Sequence, residues 1–291
     1  MDKILVIVDS PGDLTKEEIS GLPIWVASVR VIYENTEYYE SEIDITEFWS
    51  KLELLECIPT TAMILAHEWR EYYEKAAAGG YTHVIVYTIS STASGNWNSA
   101  VLGAQAYREE SPGAIPVCVQ DSRSYAALYG RNALRVALGI KNGMNFEQSC
   151  QYLRDLTVRT QGLLWVYTLK HLKRSGRISG MAAFVGEVLG VRPVLSVRDG
   201  VIAPVDKVRG DRALLPRVVE IARKNIIDPQ NQVVNLLYSS VPQEEIDRAV
   251  KMINETLTPK GINMHRIGCA ISINCGPVSM ALGYYGEPFD L

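Results

Sequence analysis

A hydroxyl-rich turn lies between a short apolar run, residues 83–89, and an amphipathic stretch. Its residues from Ser90 to Trp97 include three serines and one threonine, and Ser94 and Gly95 directly precede the amphipathic stretch. Ser94 is predicted to be the N-cap of a helix, and Gly95 would let a ligand approach the backbone. Free N–H groups and a hydroxyl at a helix start are suited to an anion. A plain capped turn is the alternative interpretation.

A second hydroxyl pair, Thr60-Thr61, follows Pro59 and precedes a helix predicted near His67. Threonines in this position often only cap the next helix. The pair also lies in the neighbouring β-α loop region of the same half of the chain. It is therefore a candidate to converge with Ser94 on one ligand group.

Two basic clusters stand out in an otherwise acidic sequence. The first runs from Lys170 to Arg177 and contains Gly176, which favours a loop. The planar guanidinium of Arg177 is suited to a carboxylate or a phosphate, although a solvated surface is the ordinary interpretation of such a run. The second cluster contains Lys207, Arg209 and Arg212. These side chains are surface charges, a ligand clamp or a docking patch for an acidic partner.

The first half of the chain alternates apolar runs with amphipathic stretches, which predicts β-α units around a mainly parallel, doubly wound sheet. Thr15 and Glu18 have capping-box spacing, so a short helix is expected near Lys16. The ligand crevice of such a sheet lies beyond the carboxyl ends of its strands. The remaining predictions are strands at residues 4–8, 83–89 and 116–119 and helices at residues 46–55, 67–77 and 95–107.

The second half predicts an α+β domain with a largely antiparallel sheet. A strand is expected at residues 163–168, and Asp199-Gly200 is expected to turn a hairpin between residues 193–197 and 201–208. The predicted domains are therefore residues 1–158, an α/β domain, and residues 159–291, an α+β domain.

Composition and missing motifs exclude several classes of function. The net charge of −4 gives no global field for nucleic acid. The apolar run at residues 4–8 is too short for a signal peptide or a membrane span, so a cytoplasmic protein without stable membrane insertion is expected. Five cysteines without a C-x-x-C pair and four scattered histidines predict neither a metal site nor a disulfide framework. Nucleotide-binding glycine motifs and a nucleophile elbow are missing, so neither a cofactor nor catalysis is predicted.

Several ordered segments together resemble the DegV family over nearly the whole chain. The strongest segment, residues 172–180, resembles the family's L-x-K-G-G-R-I-S, and residues 207–210 match K-V-R-G. The other segments are Val8 to Leu14 against T-D-S-T-A-D-L, Tyr39 with Asp44-Ile45 against Y-x-D-x-x-D-I, Pro59-Thr60-Thr61 against P-T-T-S-Q-P-S, Ser90-Ser91 with Ser94-Gly95 against S-S-x-L-S-G-T, and Asp121-Ser122 against V-I-D-S.

The resemblance implies a non-catalytic carrier that holds one long-chain fatty acid between two domains, with a first-domain fold related to dihydroxyacetone kinases. It implies that Thr61 and Ser94, with Gly95, hold the carboxylate, that Arg177 and Asn274 belong to the lipid site, and that the second domain completes an acyl tunnel. It further implies a separate ATP-using fatty acid kinase as partner, for which Lys207 and Arg209 are the predicted docking residues. The apolar segment 181–194 lines the tunnel or is ordinary core.

Two departures from the family pattern concern the site. The S-Q-P after the threonines is Ala62-Met63-Ile64 here, and the histidine of the closing H-T-G-P-G is Asn274. Asparagine can donate a hydrogen bond to a carboxylate but cannot become cationic near neutral pH. A binding protein for a different amphiphile is therefore the first alternative, and a phosphoryl- or acyl-transfer enzyme is the second.

Overall fold

The computed structural model of the protein describes residues 2–52, 54, 59–177 and 190–287. The chain divides into two compact units. The first consists of Met1–Glu42 and Thr60–Val158, and the second of Ile43–Pro59 and Arg159–Leu291. The chain therefore contributes a short segment to the second unit before it completes the first, which the sequence analysis did not anticipate.

The elements of both units are numbered here in chain order. The strands are β1 (Ile4–Asp9), β2 (Ile24–Ala27), β3 (Arg30–Tyr33), β4 (Thr36–Tyr39), β5 (Thr60–Ala62), β6 (His83–Thr88), β7 (Val117–Asp121), β8 (Thr160–Val166), β9 (Val191–Arg198), β10 (Val201–Arg209), β11 (Val233–Tyr238), β12 (Gly261–Arg266) and β13 (Ser279–Tyr285). The helices are α1 (Lys16–Ile19), α2 (Ile45–Leu52), α3 (Ala66–Ala78), α4 (Asn96–Glu110), α5 (Ala127–Lys141), α6 (Phe146–Arg159), α7 (Lys170–Ser175), α8 (Leu214–Asn225), α9 (Gln243–Leu257) and α10 (Cys269–Cys275).

A parallel sheet with strand order β2-β1-β6-β7 forms the centre of the first unit. Every residue of β1 is buried, as expected for a strand covered on both faces. The capping box expected before α1 is present, because Thr15 and Glu18 exchange side-chain-to-backbone hydrogen bonds of 2.9 and 3.3 Å. The predicted parallel, doubly wound architecture is confirmed.

A small antiparallel sheet, β4-β3-β5, accompanies the parallel sheet in the first unit. Glu34 and Asn35 connect β3 to β4 and both have positive φ, as the two central residues of a tight hairpin turn do. The Thr60-Thr61 pair lies in β5 and so belongs to a strand. The prediction of a loop at this pair is wrong, because the pair is hydrogen-bonded to β3.

The second unit is built on a six-stranded sheet, β10-β9-β8-β13-β11-β12, in which only β11 and β12 pair in parallel. The predicted hairpin at Asp199-Gly200 is present, with positive φ at both residues. The amphipathic helices α8 and α9 pack on one face of this sheet, because their apolar residues recur every three or four positions. The predicted α+β fold is confirmed.

Among the residues that the structure describes, no helix has both the length and the apolar character needed to cross a membrane.

Candidate functional site

The candidate site lies where β1 and β6 end. In the sheet, β2 pairs with one edge of β1 and β6 pairs with the other edge. The chain therefore leaves β1 for the strand on one side and later forms the strand on the opposite side. Right-handed connections to opposite sides leave a crevice beyond the carboxyl ends of the two central strands. Asp9 is the last residue of β1, residues 10–13 follow it, and residues 89–95 follow β6. With residues 62–65 they are called the switch-point loops below.

Asp9 is the buried centre of the switch-point loops. Its carboxylate accepts hydrogen bonds from the Ile89 N–H at 3.0 Å, from the Asn96 amide at 2.7 Å and from the Tyr129 hydroxyl at 2.7 Å. Burial raises the pKa of Asp9 to about 6, and the hydrogen bonds from Tyr129 and Asn96 oppose that rise. Asp9 thus joins β1, the loop after β6, α4 and α5.

Asn96 connects this buried centre to the segment that carries Thr61. Its amide nitrogen donates to Asp9, and its amide oxygen accepts the Ile64 N–H at 2.9 Å. Ser99, one helical turn later, donates its hydroxyl to the Ile64 carbonyl at 2.6 Å. Both backbone groups of Ile64 are therefore bound by the start of α4, and residues 62–65 are held against that helix.

Met63 and Gly95 form the second contact between these segments. A Cβ built on Gly95 would lie 2.5 Å from the Met63 sulfur, so the side chain of Met63 packs directly on the glycine. Met63 comes two residues after Thr61, and Gly95 immediately follows Ser94. The segments that carry the two candidate hydroxyls therefore meet within the first unit.

Thr61 is positioned by strand pairing. It pairs with Val31 of β3, and Arg30 of the same strand forms ion pairs with Glu37 and Glu68. Glu68 also accepts the Leu65 N–H at 2.7 Å, which fixes the start of α3. Thr61 itself is partly buried, and among the described residues its hydroxyl has no hydrogen-bond partner.

Ser94 lies one residue before the N-cap of α4. Helix α4 begins at Asn96 with Gly95 as its N-cap, so the prediction of Ser94 as N-cap is wrong. The Ser94 Oγ nevertheless accepts the N–H of Asn96, the first residue of the helix, at 3.3 Å. The Ser94 hydroxyl proton has no acceptor among the described residues, so it remains a donor for an anion.

The N–H groups of the serine-rich loop were expected to be free, but four of them are hydrogen-bonded within the protein. Those of Ala93 and Ser94 donate to the Ser90 carbonyl, and that of Thr92 donates to the Ser90 hydroxyl. Ser91 donates both its N–H and its hydroxyl to Asp121, at 3.1 and 2.5 Å. The loop is therefore rigid, but these four N–H groups are already used. The donors that remain at this end are the Ser94 hydroxyl and, within the first turn of α4, the N–H groups that follow Asn96.

Arg177 and Asn274 both lie in the second unit. Arg177 is exposed just after α7, where Gly176 adopts the left-handed conformation, and its guanidinium donates to the Ser175 carbonyl at 2.5 Å. Asn274 is partly buried in α10 and donates its amide to the Ala270 carbonyl at 2.7 Å. Helix α7 contacts α10, with His171 lying against Gly276. The two segments that carry these residues are therefore neighbours.

Lys207 and Arg209 are exposed on β10, an edge strand of the six-stranded sheet. They are two residues apart, so their side chains lie on the same face of the strand. Nearby carboxylates have other partners, since Asp206 pairs with Arg217 and Asp211 with Arg192. Neither Lys207 nor Arg209 forms an ion pair within the described part of the chain.

The expected tunnel segment, residues 181–194, lies mostly outside the described residues, and only its end is seen, in β9. No group of three or more His, Cys, Asp or Glu side chains in the described ranges is placed to hold a metal ion.

The Asp9–Asn96–Tyr129 network is the main feature that sequence reasoning missed. In the sequence, Asp9 stands out only as part of the segment Val8 to Leu14 that resembles the family motif. Its position at the end of a fully apolar run was a usable signal, because a carboxylate there is buried and must find donors. The hydrogen-bond partners of Asp9 could not be predicted from a local pattern, because they are residues about 80 to 120 positions away in the sequence.

Comparison with known proteins gives matches over almost the full length. A DegV domain-containing protein of Staphylococcus aureus is 29% identical over 295 residues, which is 99% of each chain. The solved structure of a DegV family protein from Thermus thermophilus, described as binding fatty acid, superposes with a TM-score of 0.87 at 25% identity and covers 98% of this chain and 99% of that one.

A second solved structure, a stearic acid-binding protein from Eubacterium ventriosum, superposes with a TM-score of 0.86 at 26% identity and covers 99% of each chain. The family model described as an uncharacterised protein of the DegV family matches residues 3–287. On this match, which includes the strands and loops of the candidate site, the chain belongs to the DegV family.

Proposed function

We propose that this protein is a cytoplasmic carrier that binds one long-chain fatty acid, holds its carboxylate at Thr61 and Ser94, and has no catalytic activity of its own. The observation that carries the proposal is the junction of two segments. Met63 packs on Gly95 and Ile64 is bound by Asn96 and Ser99, so Thr61 and Ser94 are each within two positions in sequence of one contact.

The solved relatives support the choice of ligand. The Thermus thermophilus protein is described as binding fatty acid and the Eubacterium ventriosum protein as binding stearic acid. Both share the fold of this chain over nearly its whole length. A fatty acid is accordingly the first ligand to test.

The polar groups at the junction suit a carboxylate. The hydroxyls of Thr61 and Ser94 can each donate one hydrogen bond, and the first turn of α4 adds N–H groups and the positive end of a helix dipole. Burying a carboxylate without such partners would cost several kcal/mol or more. The junction therefore offsets desolvation of the head group and orients it.

The acyl chain supplies most of the affinity in this proposal. Each buried methylene contributes about 0.8 kcal/mol, so about 15 methylenes offer roughly 12 kcal/mol before the costs of association and ordering. The hydroxyls then need to contribute only a small share. Loss of one hydroxyl should weaken binding without abolishing it.

Extraction of the bound ligand tests the proposal directly. Protein purified from a heterologous host should release about one fatty acid per chain on denaturation and solvent extraction, as measured by mass spectrometry. Delipidated protein should take up a fluorescent fatty acid, and unlabelled fatty acid should displace it. Repeated recovery of empty protein that takes up no added fatty acid would reject the proposal.

A different amphiphile is the second candidate, and Met63 is the observation that favours it. Met63 is 43% exposed and occupies the position of a polar residue in the family motif, beside Gly95. Together with Ala62 it makes the surroundings of the proposed head-group hydroxyls less polar. A neutral or weakly polar head group in the mass spectrum of the extract would favour this candidate.

A separate ATP-using fatty acid kinase is the proposed partner, with Lys207 and Arg209 as docking residues. Both are exposed, share one face of an edge strand and have no ion-pair partner among the described residues. Such charges are available to carboxylates of another protein. Charged groups of this kind mainly accelerate and orient association.

A further inference from the structure

Two cysteines of the first unit, Cys118 and Cys150, are held together by one glutamine. Cys118 is partly exposed on β7, an edge strand, whereas Cys150 is buried on α6 with 5% of its surface exposed. The Gln120 amide donates to the Cys118 sulfur at 3.5 Å and to the Cys150 carbonyl at 3.0 Å. One amide nitrogen therefore contacts both cysteines.

The position of α6 against the sheet is fixed on both sides of Cys150. The ring of Phe146 lies 4.5 Å from that of His83, and the Thr157 hydroxyl lies 2.8 Å from that of Tyr87. His83 and Tyr87 belong to β6, the neighbour of β7. Cys118 therefore faces a helix that is anchored near both of its ends.

The two neighbouring thiols shift each other's pKa in opposite directions. Cys150, with a further contribution from Gln120, lowers the pKa of Cys118, whereas Cys118 raises the pKa of Cys150. Cys118 thus has the greater thiolate character and is also the more accessible of the two. Thiolate character together with access is what makes a cysteine reactive.

We propose that Cys118 and Cys150 are a redox modification site, at which a peroxide converts the two thiols into an intramolecular disulfide. The Cys118 sulfur attacks one peroxide oxygen, the O–O bond breaks, and a sulfenic acid and water form. The Cys150 sulfur then attacks the Cys118 sulfur, the S–O bond breaks, and a second water leaves. Two thiols supply two electrons, and the peroxide accepts them. Two molecules of a low-molecular-weight thiol reduce the disulfide back to two thiols by thiol–disulfide exchange and become a disulfide themselves.

Peptide mapping of the full-length protein tests the site. Reduced protein is treated with hydrogen peroxide, remaining thiols are alkylated, and the chain is digested without reductant. The expected product is a cross-linked peptide that joins Cys118 to Cys150 and disappears on reduction. Cys269 and Cys275, both buried in the second unit, serve as internal controls and should be recovered alkylated after unfolding.

Single variants separate the two roles. Cys150→Ser should lose the cross-link but accumulate a sulfenic acid at Cys118 that dimedone traps, and Cys118→Ser should lose both products. The peptide map of the unmodified chain remains decisive if either variant folds poorly. Recovery of Cys118 and Cys150 as free thiols, or oxidation of Cys118 at the same rate as Cys269, would overturn the proposal.

Discussion

Thr61 and Ser94 occupy different segments of the first unit, and neither hydroxyl donates a hydrogen bond to another described residue. Thr61 belongs to a short strand and Ser94 to the loop before α4. Thr60 and Ser91 are nearby hydroxyl residues with no proposed role in binding. Thr60 is the adjacent residue in the strand, and the Ser91 hydroxyl is already bound to Asp121. The chain thus contains matched hydroxyls with and without a proposed role.

Thr61→Val and Ser94→Ala should each weaken fatty acid binding by about 1–2 kcal/mol, because each removes one hydrogen bond to a charged group. Displacement of a fluorescent fatty acid measures this as a loss of roughly 5- to 30-fold in affinity. Thr60→Val is the control for the strand, since successive side chains point to opposite faces. Unchanged affinity in both variants would place the carboxylate elsewhere.

Asp9 predicts a pH dependence of stability. Its pKa is about 6 in the folded protein against an ordinary value of 3.8, so between these two pH values the folded state holds a proton that the unfolded state has released. The free energy of unfolding should therefore fall as pH rises from about 4 to about 6, by up to about 3 kcal/mol from this residue. Above that window the contribution of Asp9 is constant.

Urea unfolding of the Asp9→Asn variant between pH 4 and 8 measures this contribution. The stability of the variant relative to the parent should increase from pH 4 to pH 6 and then level off. Asp155→Asn, at an exposed position of α6, is the matched control. An offset between Asp9→Asn and the parent that does not change with pH would contradict the assignment.

The crossing of α3 and α4 is the feature at the scale of elements that holds the site together. Gly103 of α4 lies against the start of α3, and a Cβ there would be 2.6 Å from the Ala66 carbonyl oxygen and 2.8 Å from the Trp69 Cβ. Trp69 is completely buried. The two helices approach this closely only because position 103 has no side chain, and residues 62–65 lead directly into this crossing.

Gly103→Ala should destabilise the protein by about 1–2 kcal/mol, because overpacking outweighs the gain of about 1 kcal/mol in helix propensity. Gly139→Ala in α5 is the control, since its new Cβ would meet only the flexible Met144 side chain. Thermal or urea unfolding should show the first variant less stable and the second near or above the parent. Equal effects would mean that the α3–α4 crossing can relax.

Element positions were predictable where a local pattern decided them. The strands β1 and β6 are apolar runs between polar loops, and Asp199-Gly200 has the residue types of a two-residue turn. The strand pair β3–β4 was not predicted, although its two turn residues also have positive φ, because Glu34-Asn35 is a less familiar turn pair than Asp-Gly. The placement of Thr60-Thr61 in β5 depends on pairing with β3, which is a tertiary contact.

The helix start at Asn96 shows why the site was only partly predictable. Ser94 has the residue type preferred at an N-cap, but the structure uses Gly95. The Asn96 side chain is bound to Asp9 and Ile64 instead. Local preference thus gives way to a buried network whose partners are far apart in the sequence. Thr61 and Ser94 themselves came from the family resemblance together with their positions before predicted helices.

At the scale of the whole molecule, the charges on β10 are expected to affect the interaction with a partner kinase and not the affinity for fatty acid. Lys207→Ala with Arg209→Ala should leave fatty acid affinity unchanged and should slow ATP-dependent phosphorylation of the bound acid by a fatty acid kinase by 10-fold or more, through weaker association. A coupled assay over a range of carrier concentrations measures this.

Arg223→Ala with Lys251→Ala removes the same charge from exposed helix surfaces of the second unit and is the control. The effect of the Lys207 and Arg209 changes should shrink at high salt, where electrostatic steering is screened. Equal losses of binding and phosphorylation in that double variant would contradict a docking role.

The insertion of Ile43–Pro59 into the second unit affects how the chain acquires its fold during synthesis. The Trp49 indole of this segment donates to the Ser272 hydroxyl at 3.0 Å, and Arg266 lies 5.0 Å over the Trp49 ring. These partners are more than 200 residues later in the chain. A nascent chain on the ribosome must therefore expose α2 until α10 has emerged, and the emergence of α10, rather than completion of the first unit, should be the step at which this helix becomes protected from proteases.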